Sequence, residues 1–482
     1  MTARLLPLVS SLLAAALAAG TVQAQAPRGS RCAYDFSASH QTNYSKTPGG
    51  NYNVWAGGDV VARCKAKGLT VTADSLEYYG DESRTVLIGH ATYVDPRLHL
   101  KSDLLTYFET DERILATQNV DALLPSGSTI RGPQLEFLRA VPRVRTVQSA
   151  TATGRPTISL VERDAKGAAQ PPVKVTGNTV WLVGDSIVAS SGSVVVVRPQ
   201  LTATGDSIYA DGGSGLLRIM RGPKIVGTRG RPFTLVGETI DLLTTQKKLN
   251  RVLAKAKAEA QSEDLNLKSD TIDMRVTDDL LQRAIVWGKS RAHAASPTQT
   301  VVADSIDVLL PGQRVRELRA MRGASAEGMP DTAKFVFEER DRLTGDTIVA
   351  RFDSLAASDT TAHPTIRRLL AIGHATSLQH TAPSDSTLCR AAVVYARGRL
   401  IDVTFRKGIV DSVRVIDRDA LAGGLQLDPK PDSANSCRVL RRRSVTPPAP
   451  GAGPAKPAVP LPLPAPAVPP AAPPAVLPVK RP

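Results

Sequence analysis

The sequence predicts an all-β protein, an elongated stack of bent antiparallel strands that forms a V-shaped half-pipe from about nine repeats of roughly 30 residues. Three observations predict it. First, a heptapeptide with a central acid, "TGDSIYA" at 204–210, returns as "TADSLEY", "KSDLLTY", "VGETIDL", "KSDTIDM", "VADSIDV" and "TGDTIVA". Second, the centres fall at Asp74, Asp103, Pro133, Asn178, Asp206, Glu238, Asp270, Asp304 and Asp346, with gaps of 29, 30, 45, 28, 32, 32, 34 and 42 residues. Third, the flanks are restricted. The preceding residue is always small, and the residues three before and two after the centre are apolar in every unit.

Those flanks set the geometry of each unit. Side chains alternate faces along a strand, so residues at −3 and −1 share one face and residues at +2 and +4 the other. All four look into one interior only if the chain slips by one residue at the centre, as a bulge or corner does, and a small neighbour permits the bend. A two-residue hairpin at the centre would align the same faces. Ala-Asp and Ser-Asp are poor hairpin turns, whereas "YGDES" at 79–83, "PSG" at 125–127 and "LPGQ" at 310–313 are better ones, so the corner is the preferred reading. The acid is then a bending residue that bonds nearby amides. A second apolar element follows each corner strand, for example "RTVLIGHATYV" at 84–94 and "RAIVWGKSRAHA" at 283–294. Two bent strands per unit give about 18 strands and a stack approaching 85 Å at ~4.8 Å per strand.

The remaining segments are read in order. Residues 1–26 look like a cleaved signal peptide: Arg4 precedes an apolar run, and small residues near Ala24 and Ala26 suit cleavage. Residues 27–66 form a polar N-terminal lead-in or cap, and the array occupies 67–380, as one block or as two of about 67–200 and 201–380. A closing β segment or cap follows at 381–440. The remainder, 441–482, begins with arginines and becomes Pro/Ala-rich, with 15 prolines among residues 447–482, so an extended, disordered tail is expected. No later segment reaches 18 consecutive apolar residues, which predicts an exported protein that does not span a membrane by a helix.

Composition narrows the chemistry. The net charge of +15 invites a nucleic-acid reading, but seven of the basic residues lie between Arg438 and the C-terminus, a stretch without an acid. The body shows no basic helix interleaved with aromatics, so no nucleic-acid partner is expected. Aromatics, at 4%, are also thin for a membrane barrel with its interfacial girdles. The seven histidines are scattered, without HExxH or GxSxG, and no catalytic residue, cofactor or metal site is expected. The recurring Asp-Ser pairs belong to the bend. Cys32, Cys64, Cys389 and Cys437 are disulfide candidates in an oxidising compartment, with three possible connectivities. The nearest pairing in sequence is Cys32–Cys64 and Cys389–Cys437. A zinc site is the competing reading, but no CxxC supports it.

The small-Asp-x-apolar-x-apolar units, such as "TADSLEYY" (72–79) and "KSDTIDMR" (268–275), together with "IGHAT" at 88–92 and 372–376, resemble the OstA family. That family comprises the periplasmic lipopolysaccharide-transport bridge proteins and the soluble N-terminal part of their outer-membrane partner. The resemblance spans roughly 67–417. It departs from the family pattern in the length of the array, in His90 and His374 where Asn is usual, and in Pro133 where the acid is missing. It implies a β-taco or jellyroll carrying lipopolysaccharide or another envelope glycolipid, and head-to-tail edge pairing with like domains of inner- and outer-membrane components. The expected function is non-catalytic periplasmic lipid carriage toward the outer membrane. Acyl chains would contact Leu76, Tyr78, Leu105, Tyr107, Leu135, Phe137, Ile208, Ile240, Leu242, Ile272, Met274, Ile306, Val308 and Ile348. The alternative is a structural β-repeat spacer or surface adhesin, whose interior is closed and filled.

Overall fold

In the computed structural model, residues 34–429 are described, apart from breaks at 162, 164–166, 169, 185, 330–338, 354–363, 385–389, 407–408 and 417–422. The expected signal peptide, three of the four cysteines (Cys32, Cys389, Cys437) and the Pro-rich tail lie outside the described residues. The described chain is one antiparallel sheet of 28 strands, with only single-turn 3₁₀ segments at Lys65–Lys67 and Pro311–Gln313. Six pairs of strands are two halves of one bent strand broken at its corner, such as Ser149–Thr153 with Thr157–Leu160, so 22 bent strands form the stack. At ~4.8 Å per strand this is roughly 100 Å, longer than expected. The extra strands come from both ends: Asp35–Cys64 and Ala392–Leu427 join the same sheet as the repeats.

The corners form as the spacing predicts. In strand Leu69–Tyr79 the buried positions are Leu69, Val71 and Ala73, and then Leu76, so the inward alternation slips by one residue at exposed Asp74. Pairing shows the same slip. Ala73 faces Val60 and Ser75 faces Gly57, which leaves two residues on the neighbouring strand opposite one acid. The partner side of the slip is a pair of residues in the left-handed region, Gly58–Asp59, Gly89–His90, Gln118–Asn119 and Gly373–His374 among nine such pairs in the described residues. Each pair is a bulge that turns the ribbon and strengthens its twist.

Gly89 and Gly373 show why this position is restricted. Their φ values are +74° in both cases, and a Cβ on either would sit 2.1 Å from a carboxylate oxygen of Asp74 or Asp346. The unit centred on Pro133 keeps the common register, with Gly132 opposite Val120 and Gln134 opposite Thr117. Gly154 of the next strand approaches the Pro133 ring and takes φ +81°, so the missing acid is accommodated.

The row of corners forms a ridge that divides the sheet into two walls. Both walls turn their apolar faces inward and pack on each other. The interior resolves into two clusters of buried side chains, one spanning Ala56 to Val188 and the other Val173 to Val403. Leu160 and Ala210 touch both.

Candidate functional site

The interior between the walls and the mouth opposite the ridge form the candidate site. Of the fourteen positions predicted to line a groove, thirteen are at most 3% exposed, and Tyr78 is half-buried against Tyr34. The structure therefore brings them together on one apolar interior. It differs from the expected open half-pipe, because the walls meet and fill the space between them. A notch between the walls, beside Met274, holds only ≈ 20 Å³ of free space, about that of one water molecule.

The two clusters are filled differently. Tyr93, Tyr107 and Phe137 are buried in the first. The second has no buried aromatic among the described residues, and 15 of its 43 buried members are alanine. Phe233, Phe352 and Phe405 are only partly buried against it.

The mouth of the first block is closed by a buried polar hub. Lys67, on one rim, donates to Tyr107 (2.9 Å) and pairs with Glu112 (2.8 Å) on the other. Tyr107 donates to Glu112 at 2.8 Å. Arg139 reaches across the mouth to Asp95 and the Tyr93 hydroxyl, and contacts Glu112 at 3.2 Å. The rings of Tyr93 and Tyr107 meet edge-to-face at 5.7 Å, one from each wall. Burial pushes the Tyr93 hydroxyl up to about 12, although Arg139 opposes the shift. Burial also raises Tyr107 far above the ordinary tyrosine range, with Tyr93 and Glu112 adding to it. Both tyrosines therefore stay protonated and serve as donors.

The second block closes by contacts at the surface. Gln200, on one rim, donates to Asp279 on the other at 3.2 Å, and Arg229 pairs with the same carboxylate at 2.8 Å. Gln313 accepts from the Arg231 amide at 2.7 Å and donates to the Arg229 carbonyl at 3.2 Å. Among the described residues, no strand of one wall pairs with a strand of the other across either mouth. Backbone joins the walls along the ridge, and side-chain contacts join their rims.

The ridge acids do not behave quite as expected. Asp270 accepts from the Ser290 amide at 2.8 Å, which matches the expected amide bond. Asp74, Asp103 and Asp346 bond instead to side chains of the left-handed pair beside them: His90 (3.0 Å), Asn119 (2.6 Å) and His374 (3.0 Å). The exposed His residues are partners of the corner, consistent with its architectural reading.

A feature that the sequence reading missed lies on the outer face, three residues after the centre. Asp241 is gripped by Arg218 at 2.7 and 2.9 Å and by Lys255 at 3.0 Å. Asp273 is gripped by Arg251 at 2.8 Å through both oxygens and by Arg275 at 2.8 Å. Asp307 is held in the same fork geometry by Arg283, and Asp402, beyond the nine units, by Arg368. Burial alone would raise the Asp241 carboxyl, but Arg218 and Lys255 outweigh it and hold the group below the usual range. The repeated "IDL", "IDM" and "IDV" endings of the heptamers were the available signal.

Cys64 is disulfide-bonded, as its candidacy anticipated. Among the described residues, no three His, Cys, Asp or Glu side chains gather in a way that could hold a metal ion. No helix is long and apolar enough to cross a membrane, which says nothing of strands. No protein-family model matches the chain, and no curated protein is significantly similar to it.

Proposed function

We propose that the protein is a non-catalytic carrier of acyl-chain amphiphiles of the lipopolysaccharide kind, working in the periplasm on the path toward the outer membrane. One observation carries the reading: an apolar interior runs between two walls that, among the described residues, share backbone only along the ridge, while their rims are held by side chains. Parting the rims would open that interior without breaking a strand ladder. Acyl chains would replace the wall-to-wall contacts, gaining about 0.8 kcal/mol per methylene removed from water. Charged headgroups would remain outside with the rim arginines and lysines. The interior below the mouths is lined mainly by aliphatic side chains, so binding would tolerate varied chain chemistry and need no cofactor.

The ends of the stack suit like partners. Among the described residues, strand Gln41–Lys46 has no partner on its outer side, and neither do Ile409–Ile416 and Gly423–Leu427 at the other end, where Val413, Ile416, Leu425 and Leu427 are exposed. Open edges of this kind accept a further strand by β-augmentation.

A second reading, the envelope spacer, is favoured by the filled interior, where inward side chains of both walls are buried. A photo-crosslinker at Ile240 or Ile272 in living cells separates the two. Attached glycolipid supports carriage; adducts to protein alone support the spacer.

A further inference from the structure

Beneath the rim contacts of the second block lies a shallow notch between the walls, lined by Leu201 and Phe233 from one side and Met274, Val276 and Leu281 from the other. Gln200, Arg229, Asp279 and Gln313 form its lip. We infer that this notch is the port through which an anionic amphiphile enters the interior, and that its headgroup takes Arg229 in exchange for Asp279. This inference rests on the carrier reading and specifies where and how the trough opens.

Three features carry it. At the notch, apolar lining from both walls reaches the surface, continuous with the alanine-rich cluster below. The loops that clasp over it, 228–232 and 310–316, hold Arg229, Arg231, Arg314 and Arg316; Arg231 is already paired with Asp264, which leaves Arg229 as the cation to exchange with a phosphate or carboxylate headgroup. Finally, the Arg229–Asp279 pair is solvent-exposed, with side-chain exposures of 57% and 34%. Exposed pairs hold weakly, so an incoming anion competes for the guanidinium on near-equal terms. By contrast, Arg139 in the first block is 11% exposed and Asp95 is 2%, and parting that hub would strand charges in a dry interior. The first mouth stays shut while the second exchanges partners.

The test uses the full-length protein with a fluorescent C18 fatty acid, a lysophosphatidate of the same chain length, and the uncharged methyl ester. Asp279→Asn, which frees Arg229, should tighten binding of both anions by about fivefold, the worth of one exposed charge pair, and leave the ester unchanged. Arg229→Gln should weaken both anions by a similar factor, and Arg229→Lys should restore them. Val276→Trp, which fills the notch, should reduce binding of all three probes. A preference for one anion assigns the headgroup class. Binding by the wild-type protein that none of these variants alters overturns the port and leaves the carrier reading standing. No binding of any probe by the wild-type protein, together with no glycolipid adduct at Ile240, overturns both.

Discussion

The two blocks of the stack share one ridge and differ in what closes their mouths. In the first, aromatic rings cross the interior and an Arg139-centred hub ties Asp95, Tyr93 and Glu112 together out of water. In the second, aliphatic and alanine side chains fill the interior, and the rims meet through the exposed pair Arg229–Asp279 and the amides of Gln200 and Gln313. The second block also carries the Arg–Asp forks on its outer face. A common corner therefore builds the scaffold, and local choices at the mouth decide how tightly each section is held.

The largest expected effect tests that contrast directly. Arg139→Ala leaves Asp95 buried without its cation and should cost about 3–5 kcal/mol. Arg229→Ala should cost about 1 kcal/mol or less. Denaturant unfolding of the two variants measures both, and equal losses would erase the distinction between the mouths.

Ile272→Ala, at a fully buried site of the second block, should cost about 2–5 kcal/mol. A loss well below that range, read from the same unfolding curves, would mean that this interior is loosely packed.

The ridge should not discriminate between blocks. Gly89→Ala and Gly373→Ala each force a side chain into the left-handed region and against a carboxylate, so each should destabilise by about 1–2 kcal/mol. Thermal unfolding that shows one corner indifferent and the other costly would break the claim of a shared device.

The smallest effect is a pH dependence in the second block. Asp241 and Asp402 are held below the usual carboxylate range, Asp402 chiefly by its hydrogen bonds to Arg368. Groups depressed in the folded state stabilise it above their unfolded pKa, near 4, and that contribution is lost as pH falls through their folded values. Unfolding midpoints should therefore drop with acidification, and Asp241→Asn should flatten the profile. A variant that titrates like the wild type would remove Asp241 from this role.

Much of the fold was legible in the sequence. The slip of alternation at each centre and the inward row from Leu76 to Ile348 follow from patterns that span only a few residues at a time. The contrast between blocks was partly legible too, since position +4 is Tyr78, Tyr107 and Phe137 in the first three units and carries no aromatic thereafter. The left-handed pairs were visible only as small or turn-prone centres in "IGHAT" and its relatives. The outer-face acids passed unnoticed because an Asp on a solvent-facing strand position reads as ordinary surface until its arginines are placed.

The sequence by itself determined which side chains face inward and where the ribbon bends, because both are consequences of backbone geometry over one or two residues. Whether the walls would stand apart or touch was decided only in three dimensions. Lys67 meets Glu112, and Gln200 meets Asp279, from hairpins displaced along the stack by three and five strands. That displacement is the sum of a small twist at every strand. No local pattern encodes such a sum, and it places Arg139 in a dry hub and Arg229 at a wet lip.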